Sequence, residues 1–287
     1  MLCCILWIYR ENIDILANLW FNIKENLKGL INVIDIEKAK NEFIKYTEKY
    51  DLTNDHIKRK QLHSLRVMEI SEKIATNLKL DEERKELAIL IGLLHDIARF
   101  EQYTRFKTFR DFDSIDHGDL GVKILENDIR KYVESNKYDD IIKCAIKNHN
   151  KFKIEDGLDE EKLLFCKIIR DADKIDIFYE GTVYFWKNEN EIYEIENGLI
   201  SDDLMEEFLT LTIINRQKAE KSIIANVVCN LAFMFDIYFE ESLEYIEEKD
   251  YINKIINRFN FKNEDTRRKM EIIRKTLNDY INSKEKK

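Results

Sequence analysis

Apolar residues recur along this chain every three or four positions, the spacing of one face of an α-helix. The first stripe runs Tyr9, Ile13, Leu16, Trp20, Ile23, Leu27, Leu30 and Ile34, its steps alternating four and three. Such a repeat suits a helix that docks on its own chain or one that pairs with a second copy in a homodimer. A second helix is expected from Ile36 to Lys49, ended by Asp51-Leu52-Thr53-Asn54-Asp55. Thr53 or Asn54 then caps a third helix reaching Leu78, on which His63, Val67, Ile70, Ile74 and Leu78 share one face. Asp81-Glu82-Glu83 opens the next, where the helix dipole favours negative charge. It leads into Leu87–Phe100, read as a buried helical run because it is apolar on nearly every face.

Further on, Phe100–Asp113 reads as a polar connection rich in Arg and aromatic residues. Ser114 reads as the cap of a helix opening at Asp116, with His117, Leu120, Gly121 and Ile124 on its inner face. A helix from about Asp139 carries Ile142, Ala145, Ile146 and His149. After a loop over Lys151–Asp159, a helix capped by Asp159 covers Glu160–Glu180. A turn-rich stretch, Trp186–Ser201, precedes helices expected at Asp202–Leu211, Arg216–Tyr238, Leu243–Phe259 and Glu264–Ser283. The expected fold is all-α, in three parts: an N-terminal amphipathic helix over residues 1–35, a core over 36–181, and a C-terminal helical region over 182–287 packed on that core.

Composition agrees. Proline is absent and glycine occurs seven times, which suits long helices. A formal charge of −9 argues against a protein that coats a nucleic-acid polymer. Met1–Tyr9 is too short to cross a bilayer and lacks a basic leader, so no membrane partner is expected. The apolar segment Ile223–Phe239 is interrupted by Asn226, Asn230 and Asp236 and reads as a buried helix. Five cysteines (Cys3, Cys4, Cys144, Cys166, Cys229) form no CxxC pair and read as reduced thiols of a cytoplasmic protein.

The chemistry lies in the inward polar residues. Four of the five histidines, all but His56, face the expected core from different helices. Burying Asp96 beside His95 costs several kcal/mol unless hydrogen bonds, a charge or a metal offset it. Asp171, Asp173 and Asp176 within one apolar helix raise the same demand. A cation answers it, and His/Asp ligands favour Mn, Fe, Zn, Co or Ni over Ca. Gly92, three and four residues before the His-Asp pair, leaves bare backbone that something else can approach.

His63, then His95-Asp96 within Leu-Leu-His-Asp-Ile-Ala-Arg, then Asp-Ala-Asp-Lys-Ile-Asp, resembles the HD-domain superfamily of metal-dependent phosphohydrolases over about Asp51–Tyr179. The match is also similar to the subset with two further histidines, here His117 and His149. Cyclic-dinucleotide phosphodiesterases of the superfamily often carry two successive histidines at the fourth position; here the second is Asn150, and their Gly-Tyr-Pro signature is absent. The resemblance implies a helical bundle with one or two divalent transition-metal ions. His63, His95, Asp96 and Asp173 would hold the first, and Asp96 would bridge to a second held by His117 and His149. Asp173 is preferred to Asp171 because it fits the Asp-Lys-apolar pattern. Asp96 would serve catalysis directly, Lys174 would face a phosphate, and Arg66 and Arg99 would hold phosphate oxygens. The implied activity is hydrolysis of a phosphate ester, a nucleotide or related small molecule, by metal-activated hydroxide. Two alternatives stay open: a di-iron oxygenase of the same superfamily, which uses the same count of four His and two Asp, and a non-catalytic regulatory HD module.

Overall fold

The structure, a computed structural model, describes residues 34–216 and 221–284. The stripe beginning at Tyr9 falls outside those residues except for its last member, Ile34, which is fully buried. Regular structure among the described residues is helical throughout, and none of these helices is long and apolar enough to cross a membrane.

Asp35 caps the first described helix, α1 (Ile36–Thr47), by accepting from the Lys38 amide. Asn54 caps α2 (Asp55–Asn77) by accepting from the His56 and Ile57 amides, while the other candidate, Thr53, donates its hydroxyl to Asp51. Asp81 caps α3 (Glu82–Leu94). Helices α2 and α3 pack side by side, and Gly92 is the reason they come so close. A Cβ there would lie 2.6 Å from Ser71 Oγ and 3.0 Å from both the Met68 Cα and the Val67 carbonyl oxygen. What approaches the bare backbone is therefore α2.

The run Leu87–Phe100 is buried as expected except at Arg99, but it is not one helix. It ends at Leu94, and the amides of Ile97 and Arg99 reach carbonyls three residues back, tighter than α-helix geometry. The break falls on the turn at residues 95–98, where the hydrogen-bond pattern tightens although His95 keeps right-handed helical dihedrals. Periodicity cannot reveal it, because the apolar pattern runs through the break without interruption. The polar connection after it is likewise partly helical: α4 (Arg99–Phe106) buries Phe100 and Gln102 and ends at Lys107, whose φ of 55° is left-handed. A 3₁₀ turn over Asp111–Asp113 follows.

Helix α5 (His117–Tyr132) is capped by Asp116, not Ser114. The Ser114 hydroxyl instead donates to the Arg110 carbonyl and accepts from Gln102. Helix α6 (Asp139–Asn148) packs on α5, and α7 (Glu160–Val183) packs on α2, α3 and α6, which makes it the central helix of this half.

Beyond α7 the expected elements are more finely divided. The turn-rich stretch contains α8 (Glu189–Asn197), capped by Asn188, and α9 (Asp202–Leu209) follows. The helix expected over Arg216–Tyr238 is α10 (Ile223–Leu231), started by the Ser222 cap and followed by a 3₁₀ turn, Ala232–Asp236. It stops there because α7 takes hold of the chain. Asp236 pairs with Arg170 and Lys174, and Asp171 accepts the amides of Tyr238 and Phe239. The helix expected at Leu243–Phe259 is two, α11 (Glu240–Glu248) and α12 (Tyr251–Ile256), divided at Asp250 with its positive φ of 53°. Helix α13 (Glu264–Lys284) closes the chain against α11 and α12.

Candidate metal centre

Four imidazoles and two carboxylates arrive at one place from α2, the α3–α4 break, the start of α5, the end of α6, and α7. They are His63, His95, Asp96, His117, His149 and Asp173. All are buried except Asp173, whose side chain is 17% exposed and marks the side that solvent reaches.

Asp96 divides the group in two. Its Oδ2 lies 3.5 Å from His63 Nε2 and 3.6 Å from His95 Nε2, and these rings approach Asp173 Oδ1 at 3.1 and 3.7 Å. Its Oδ1 lies 3.3 Å from His117 Nε2 and 3.6 Å from His149 Nε2. One carboxylate thus presents one oxygen to each half.

The opposite nitrogen of each ring faces an acceptor. His95 Nδ1 donates to the Gly92 carbonyl at 2.7 Å, and His149 Nδ1 to the Ile146 carbonyl at 2.6 Å. His117 Nδ1 meets Asp111 at 2.7 Å and His63 Nδ1 meets Asp176 at 2.6 Å. A neutral imidazole that donates from Nδ1 carries its lone pair on Nε2. Burial pushes the pKa of His95 down to about 3, and burial together with Arg99 pushes His117 down to about 4, so both rings are neutral at pH 7. Yet His117 Nε2 and His149 Nε2 lie 3.0 Å apart. Two lone pairs aimed at one point repel unless a cation lies between them. Donor type, tautomer and convergence therefore fit a transition-metal ion.

His63 differs. Burial and Lys60 depress its pKa, but hydrogen bonds to Asp173 and Asp176 outweigh them and raise it to about 9. Burial would raise the Asp96 carboxyl, whereas Lys60, His95 and Arg99 together hold it well below the usual range.

Each basic residue singled out in the sequence faces a carboxylate. Arg66 clamps Asp176 at 2.6 and 2.9 Å and Glu180 at 2.9 Å, so it braces the carboxylate that orients His63. Arg99 lies with Nε 3.3 Å from Asp96 Oδ1, while its Nη1 meets the Phe109 carbonyl, Gln102 and Asp111. Lys174 is buried, with its ammonium 2.8 Å from Asp236 and 3.4 Å from the Arg170 carbonyl. One step along a helix rotates a side chain by about 100°, and that step turns Lys174 from the cluster that Asp173 enters toward the C-terminal segment.

Residues 62–177 match the family model of the HD domain. That segment is similar to HD domains. No curated protein and no solved structure matches the chain. The HD-domain superfamily is one of metal-dependent phosphohydrolases, and the buried His/Asp groups here are spaced to hold a metal.

Several contacts around the cluster were not drawn from the sequence. Lys60 places Nζ 2.8 Å from Asp96 Oδ2; its position one turn before His63 was a usable signal. Asp176 and Glu180 follow Asp173 at three and seven residues, and Arg66 follows His63 at three, so their pairing across two helices was also readable. Asp111 had no such signal, since it sits on the short turn after α4. Asn150 donates to Asp111 and Asp116, both at 3.0 Å, and thereby holds the acceptor of His117.

Proposed function

We propose that the protein is a metal-dependent phosphohydrolase acting on a phosphate ester, a nucleotide or a related small molecule. The observation that carries this reading is the pair of inward Nε2 atoms of His117 and His149, 3.0 Å apart beside Asp96. In this reading His63, His95, Asp173 and Asp96 Oδ2 hold one divalent cation, and His117, His149 and Asp96 Oδ1 hold a second. Bound there, such ions supply an activated hydroxide and Lewis-acid stabilisation of phosphoryl oxygens.

The protein's own part is orientation. The Gly92 and Ile146 carbonyls and the Asp111 and Asp176 carboxylates fix each ring. Arg66 and Arg99 keep those carboxylates ionised and in place. Lys60 and Arg99, with side chains 13% and 14% exposed, flank Asp96. They are the cations best sited to meet a phosphate anion as charge grows on it. Lys174 belongs to the packing of α7 on the C-terminal segment.

Metal analysis of protein purified without oxygen, followed by assays on nucleotides and phosphomonoesters, tests the proposal. Inorganic phosphate or nucleotide release that depends on added Mn, Co, Ni, Zn or Fe is the expected result. Two irons with turnover that consumes oxygen and releases no phosphate would overturn it in favour of an oxygenase.

A further inference from the structure

Outside the metal cluster, two thiols meet across the α6–α7 interface. Cys144 Sγ, half-buried on α6, lies 3.9 Å from Cys166 Sγ, buried on α7. Glu155 Oε1 is 3.8 Å from the Cys144 sulfur, and the Asn148 amide nitrogen is 3.6 Å from it. The two sulfurs differ in reach: solvent touches Cys144, while Cys166 stands behind it. They also differ in basicity. The hydrogen bond from Cys166 lowers the Cys144 pKa against burial and Glu155, and the same contact with burial raises Cys166.

We infer that Cys144 and Cys166 form an oxidisable dithiol that peroxide converts into a cross-link between α6 and α7. The Cys144 thiolate attacks a peroxide oxygen. A sulfur–oxygen bond forms, the oxygen–oxygen bond breaks, and the departing hydroxide takes up a proton to become water. The Cys166 thiol then attacks the Cys144 sulfur. A sulfur–sulfur bond forms, hydroxide leaves, and it combines with the Cys166 proton as a second water. Two thiols lose two electrons in total, and one peroxide gains them. Closure needs the sulfurs to approach by about 1.9 Å, to the usual disulfide length near 2.05 Å.

The cross-link joins helices that already pack together. Cys144 lies five residues before His149 and Cys166 seven before Asp173, so the link fixes the spacing of two elements that enter the cluster. The outcome does not depend on what the cluster catalyses, because it is read on sulfur alone.

The test is peptide mapping of the full-length protein by mass spectrometry after stoichiometric hydrogen peroxide, with and without reductant. The expected result is a Cys144–Cys166 linked peptide, two hydrogens lighter than its reduced parts. Cys166→Ala should then accumulate a sulfenic acid at Cys144 that a dimedone probe labels, whereas Cys144→Ser should leave Cys166 unmodified. A variant with Cys3, Cys4 and Cys229 replaced by Ser should form the same link. Peroxide treatment that carries Cys144 to sulfinic or sulfonic acid without a linked peptide would overturn the inference. So would links of Cys144 only to other cysteines.

Discussion

The two halves of the imidazole cluster differ in what stands behind them. Behind His63 is a chain of buried charge: Asp176, clamped by Arg66, with Glu180 on the same guanidinium. Behind His117 is Asp111, on a 3₁₀ turn and 28% exposed, with Gln102, Asn150 and Arg99 sharing its oxygens. The first half also has two carboxylates, Asp173 and Asp96, whereas the second has only its share of Asp96. Fewer anionic donors and a more solvated support mean weaker cation binding. The comparison teaches that the two halves are built unequally: on the proposed two-ion reading, the half near His63 should fill first and empty last.

The largest effect is expected where the halves meet. Asp96→Ala removes the one donor common to both, and kcat/KM should drop by about 10³-fold or more, on the order of 4 kcal/mol. Metal content should fall with it while the helical circular-dichroism signal persists. Full metal content in this variant would end the idea of a shared carboxylate.

Next come the two rings of the weaker half. Replacing His117 or His149 by Ala should lower stoichiometry from two ions per chain to one, measured by metal analysis after dialysis. Retention of both ions with only a lower Tm would mean that these rings are core histidines held by Asp111 and the Ile146 carbonyl.

A smaller effect separates the two supports. Asp176→Asn should weaken the tighter site by up to about 100-fold in metal affinity, and Asp111→Asn should weaken the looser one by about 10-fold. Competition with a chromophoric chelator reads both. Equal losses would remove the asymmetry drawn above.

The smallest effect on turnover is expected at Lys174. Its motif position predicts a phosphate contact and a loss of about 10²-fold or more in kcat/KM on replacement; its ion pair with Asp236 predicts a change in stability instead. Lys174→Met should leave kcat/KM within a few-fold and cost about 1–3 kcal/mol. That is less than an orphaned buried charge costs, because Arg170 still pairs with Asp236. Thermal melts beside steady-state assays distinguish the two.

That contrast also shows what was legible beforehand. The six converging residues were visible because each lies on or at the end of an apolar helical stripe that points inward, and inward polar residues must meet one another. The all-α fold was legible for the same reason. The break at His95 was not, because the apolar pattern continues through it to Phe100. Nor was the fate of Arg66, Arg99 and Lys174: a sequence shows that a cation is near a site but not which anion it will choose. In all three cases the anion lies on a distant segment or a short turn: Asp176, Asp111 and Asp236. The division of the C-terminal half was hidden likewise, since Asp171 and Arg170 end the preceding helix from across the molecule.

The two-sided charge of α7 has a bearing on how this protein can be cut. One side of the helix sends Asp173 and Asp176 to the histidines, while Arg170, Asp171 and Lys174 bind Asp236 and the amides of Tyr238 and Phe239. A fragment ending near residue 181 would keep every candidate metal ligand yet expose apolar packing on α7 and strip all three of those charged side chains of their C-terminal partners. The segment matched by the family, residues 62–177, thus ends short of the contacts that α7 makes with the C-terminal segment. An expression boundary drawn at its edge would yield a chain whose central helix lacks its ion pairs and amide contacts with the C-terminal segment.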